Sequence, residues 1–115
     1  MGIENRQAAN ENFSQGELRQ QRKNLLLAYG ELITTVQTWI TEKQTQAEPE
    51  NSPGIPEIER ERVHAATEAL KPLLALLNTA IDVAESDPDN LDAFNAAKRS
   101  RDFLYAGYVE AFHSL

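Results

Sequence analysis

The chain contains no cysteine among its 115 residues. That excludes a disulfide framework, a thiolate nucleophile and any Cys-based zinc site, and it suits a reducing compartment. Proline and glycine are scarce, at 5 each, so little of the chain is barred from regular structure. Cations are outnumbered: 11 Lys and Arg against 18 Asp and Glu give a net charge of −7. Binding to nucleic acid needs clustered cations for the phosphates. The one dense basic patch, "KRSR" at 98–101, is better read as a solvated helix face paired with neighbouring acids. No run approaches the ~20 apolar residues of a membrane span. The opening "MGIENRQAANENF" lacks the apolar core of a secretory signal, and Arg6 stands where a myristoylation signal takes Ser or Thr. These absences lead us to expect a soluble, cytoplasmic protein with neither a nucleic-acid nor a membrane partner.

Catalytic signatures are also missing. "NSPGIP" has a single Gly, and its prolines have no backbone N–H to offer a phosphate. Ser14, Ser52, Ser86, Ser100 and Ser114 stand in no motif that places a His and an acid beside them. No enzyme activity and no cofactor are expected.

What is present is helical periodicity, in a hydrophobic fraction of 41%. In "FSQGEL", Ser14 precedes Glu17 by three residues, the spacing of a capping box, and Phe13 and Leu18 take the positions of a hydrophobic staple. A helix is predicted from about Gln15, with residues 1–13 as a disordered tail before a single bundle domain over 14–115. Apolar residues at 18, 25, 29, 32, 36 and 39, with 26, 33 and 40 beside them, mark one face; Thr34, Thr38 and Thr41 mark the solvated one. The Pro-rich stretch at 47–56 ends this helix. A second helix is predicted from Pro56, with Glu57 and Glu59 in its first turn. Its stripe of Val63, Ala66, Leu70, Leu73 or Leu74, Leu77, Ile81 and Ala84 keeps phase through Pro72. No Ser, Thr, Asp or Asn stands immediately before Pro72 to cap a new helix. One helix kinked near 68–72 is therefore expected, with two helices end to end, and so four in all, as the alternative. Pro88, between Asp87 and Asp89, opens a third, with Leu91, Phe94, Arg101, Tyr105, Tyr108, Phe112 and Leu115 on one face. The fold class is all-α: an antiparallel up-down-up three-helix bundle, with helices of ~40–47 Å.

Locally, "AIDVAESDPDNLDAFNAA" resembles the turn between two tetratricopeptide repeats. No second copy follows at the ~34-residue period, and that fold needs ~3 repeats, so the resemblance does not enter the fold. Glu61 precedes His64, and Glu110 precedes His113, each by three. Glu-x-x-His on two helices resembles the ligand pattern of di-iron and di-manganese carboxylate bundles, which implies a carboxylate/histidine metal protein. Such ligands must project into the core. Glu61 points away from the Val63–Leu77 stripe with His64 on its flank, and Glu110 points away from a face set by Tyr105, Tyr108 and Phe112. We therefore read both pairs as solvent-exposed and expect no metal, keeping the metal protein as the alternative function.

The remaining signal is surplus apolar surface. Leu70, Leu73, Leu74, Leu76, Leu77 and Ile81 surround more than one face of the second helix. The third carries a separate stripe of small residues at Ala93, Ala97, Ser100, Leu104, Gly107 and Ala111. Exposed apolar patches mark contacts. The expectation is a non-enzymatic protein–protein interaction module: an adaptor, regulator, inhibitor or dedicated chaperone. Its binding face would hold Leu27, Leu76, Phe103, Leu104 and Gly107. The partner would be a protein, a basic one given the acidity, and a two-fold homodimer is expected. An acidic mimic of nucleic acid ranks last, because the carboxylates are scattered over loops and all helices.

Overall fold

A computed structural model describes the backbone of residues 2–115 and the side chains of residues 15–115. The chain is 83% helical with no strand among the described residues, and its helices form three rods in an all-α bundle. The first is α1 (Gly2–Gln46). The second joins α2 (Glu57–Glu68) to α3 (Lys71–Ser86) with a bend of 15°. The third is α4 (Leu91–Ser114). The molecule measures 75 × 24 × 17 Å.

α1 does not begin at Ser14. Its backbone is helical from Gly2, through a stretch that has no proline to stop a helix. The side chains of the expected tail of 1–13, and of Ser14 and Phe13 in the expected box and staple, lie outside the described residues. Further along α1, Leu26, Tyr29, Ile33, Val36, Trp39 and Ile40 are buried, while Thr34, Thr38 and Thr41 are exposed. The loop at 47–56 is tied down by Asn51 Nδ2 donating to the Thr45 carbonyl at 2.8 Å and an Arg60 guanidinium donating to the Ser52 carbonyl at 3.0 Å.

The bend has two local causes. Pro72 is in the first turn of α3 and has no N–H to return to the preceding turn. Just ahead of it, the Leu70 N–H takes the Thr67 carbonyl three residues back, at 3.2 Å, instead of one four back. Thr67 itself is fully buried. Its hydroxyl donates to the Val63 carbonyl at 2.8 Å, a back-bond of the kind that bends helices. Its oxygen accepts from Gln44 Nε2 of α1 at 3.0 Å. The leucine stripe crosses the bend in phase, with Leu70, Leu74, Leu77, Ile81 and Ala84 buried. Burying side chains of this kind stabilises by about 1.5–3 kcal/mol each for the larger ones, against ~3 kcal/mol for the proline.

α4 starts at Asn90, whose side chain accepts the Ala93 N–H at 3.1 Å, a cap worth ~1 kcal/mol. Its inward face corrects the sequence reading. Ala93, Ala97, Ser100, Leu104 and Ala111 are buried, whereas Tyr105 and Phe112 are exposed and Tyr108 is half-buried. Small residues win the interior because they let α4 lie close against α3: a Cβ on Gly107 would sit 3.2 Å from methyls of both Leu70 and Leu73. The aromatic stripe turns instead along the flank of α1. There Trp39 meets Tyr108 edge-on at 5.4 Å and Phe112 at 6.3 Å, and Tyr29 stacks with Phe94 at 6.5 Å.

Candidate functional site

Three helices packed in a triangle leave an outer groove along each seam. The seam between α1 and α3 is mixed, lined by Gln37, Thr41, Lys71 and Asn78 beside Ile33, Ile40, Leu74 and Ala75. The seam between α1 and α4 holds the aromatic stacking just described and, near the start of α4, an open cleft lined by Leu18, Leu25, Leu91 and Phe94. The seam between α3 and α4 is bordered by two regularly spaced sets of residues. Along the rod of α2 and α3, positions 69, 73, 76, 80 and 83 recur at intervals of four and three, and read Ala, Leu, Leu, Ala, Val. On α4, positions 92, 96, 99, 103, 106 and 110 do the same, and read Asp, Ala, Arg, Phe, Ala, Glu. Such spacing keeps each set on one side of its helix.

The two sets face one groove. Gly107 is level with Leu70 and Leu73, and α3 and α4 run antiparallel, so one turn along α4 brings Phe103 level with Leu76. Leu73 and Ala80 are half-buried against the core, forming the floor. The walls are open: Phe103 is 64% exposed, Leu76 53% and Val83 50%. Arg99 and Glu110 flank Phe103 and take no part in any ion pair among the described residues.

Of the five residues expected to bind a partner, Leu76 and Phe103 fall level with each other along α3 and α4, and both are exposed. Leu104 is fully buried, and Gly107 is pressed against Leu70 and Leu73. Both belong to the contact between α3 and α4, and neither is free to meet a partner. Leu27 is exposed but lies on α1, in a cleft with Arg19, Arg22, Lys23 and Pro88. The cations of that cleft are drawn to the loop before α4: Arg19 pairs with Asp89 at 2.6 Å, and an Arg22 guanidinium nitrogen lies 3.4 Å from the Pro88 carbonyl. Val83 belongs to the groove and was not among the expected residues. Its signal was the four-three spacing it shares with Leu76.

The Glu-x-x-His residues Glu61, His64, Glu110 and His113 are all exposed. His64 Nε2 lies 3.6 Å from Glu68, and the His113 ring stands edge-on to Phe112 at 5.9 Å. No group of three or more His, Asp or Glu is placed to hold a metal among the described residues. A hydrogen bond from Lys71 holds the Glu68 carboxyl below the usual carboxylate range, with the charges of Lys71 and His64 acting in the same direction. No helix among the described residues is long and apolar enough to cross a membrane. Comparison with protein-family models, with curated proteins and with solved structures finds no match.

Proposed function

We propose that this chain is a non-enzymatic interaction module that presents the groove between α3 and α4 to a helical surface of another protein or of its own copy. The observation that carries this reading is the exposure of Leu76, Val83 and Phe103, each at least half exposed, on helices whose register sets Phe103 level with Leu76. A fourth helix laid in that groove would take the place of water over all three. Helix-in-groove recognition works this way, through apolar anchors spaced three and four apart. The role would be that of an adaptor, regulator, inhibitor or dedicated chaperone acting in the cytoplasm. A net charge of −7 favours basic surfaces among foreign partners. Nucleic acid does not suit that charge, because phosphate binding needs clustered cations.

Photocross-linking in cells of the native host tests this. A benzophenone side chain at Phe103 is expected to form a covalent adduct with a protein. The same group at Thr38, on the polar face of α1, serves as the control. Equal labelling at the two positions, or none at Phe103, contradicts the reading.

A further inference from the structure

We propose that the occupant of the α3–α4 groove is the same groove of a second copy, in an antiparallel two-fold dimer whose register sets Arg99 opposite Glu110 of the second copy. This rests on the interaction reading above and names its partner. A two-fold axis in the interface, perpendicular to the helices, lays α4 antiparallel on α4 and α3 antiparallel on α3. Each residue then meets the one equally far beyond the axis.

The four-three spacing leaves few centres at which both seams interlock, and they stand half a heptad apart. Two of them overlap the apolar residues well. An axis between Arg99 and Phe103 would set Asp92 on Glu110 of the second copy, like against like. Moving the axis further toward the start of α4 sets Leu76 on Asp87. An axis between Phe103 and Ala106 does neither. It sets Phe103 over Ala106, a large side chain over a small one, and Arg99 over Glu110. Along the rod of α2 and α3 the same axis sets Leu73 over Leu76 and Ala69 over Ala80. Every pairing occurs twice by symmetry, so two ion pairs bracket two phenylalanines.

The area is sufficient for a modest dimer. The overlap runs from about Ala96 to His113, roughly 26 Å of helix, and is two helices wide at 8–10 Å spacing. The two faces together cover about 1,000 Å², the lower end for a specific interface.

Charge reversal tests the register. Both residues are exposed and have no ion-pair partner among the described residues, so substitution leaves the fold intact, which a circular-dichroism melt verifies. Sedimentation equilibrium at up to ~500 µM protein is expected to show a wild-type dimer. Arg99→Glu alone and Glu110→Arg alone each weaken it by roughly tenfold or more, since like charges then face each other. The double variant restores wild-type affinity within about threefold, as the pair is re-formed in reverse. A wild-type monomer throughout, or a double variant as weak as the singles, overturns the proposal. In either case an adduct at Phe103 with a different protein keeps the broader reading, and no adduct removes both.

Discussion

Gly107 and Gly30 have opposite reasons for lacking a side chain, and the same substitution separates them. A Cβ at Gly107 would meet Leu70 and Leu73 methyls at 3.2 Å, while one at Gly30 would meet nothing within 4 Å. Glycine inside a helix costs ~1 kcal/mol relative to alanine. Gly30→Ala should therefore stabilise by about 1 kcal/mol. Gly107→Ala should be neutral within about 1 kcal/mol, because helix propensity and crowding offset, and Gly107→Leu should cost about 1–3 kcal/mol by overpacking. Urea titrations of the three variants measure these differences. Thr67→Val tests the buried hydroxyl: it removes the bond from Gln44 and should cost about 1–2 kcal/mol. The small stripe of α4 was legible in the sequence as a stripe, but its direction was not. The aromatics offered more apolar area and so drew the inward direction toward Tyr105 and Phe112. Close approach of α3 and α4 depends on the absence of bulk, which a scale of hydrophobicity ranks low.

Among the elements, the bent rod of α2 and α3 was the most legible, because its leucine stripe keeps phase across Pro72. The bend's second cause was hidden, since Thr67 gains its meaning from Gln44, 23 residues away on another helix. Pro72→Ala returns an N–H to the ladder and removes the ring's clash with the preceding turn. The core has been shaped around a 15° bend, so repacking of Leu73, Leu74 and Leu77 opposes part of the gain. The net change should be about 0–2 kcal/mol toward greater stability, read from a thermal melt. A clear loss of stability would mean that the proline defines a separate helix rather than bending one. The start of α1 was misplaced because a capping-box spacing reads the same at a helix start as inside a longer helix. A spacing rule contains no information on whether the preceding residues are also helical.

At the scale of the molecule, three helices bury one face each and leave the α3–α4 seam apolar and open at Leu76, Val83 and Phe103. The sequence showed that apolar surface was in surplus. It could not show which of two stripes was spent on the core, so Leu104 and Gly107 were assigned to the wrong side of α4. The central claim is that this seam pairs with itself, antiparallel, about an axis between Phe103 and Ala106. The chain has no native cysteine, so Asn95→Cys carries a single nitroxide on an exposed position of α4. The pulsed electron-spin distance between the two labels of a dimer measures the register directly. Nineteen residues' worth of rise along the helix and one helix spacing across give about 30 Å. A distance near ~20 Å, the value for an axis half a heptad away, or the absence of any dipolar signal at concentrations of ~500 µM, the upper limit for so small an interface, would contradict the account.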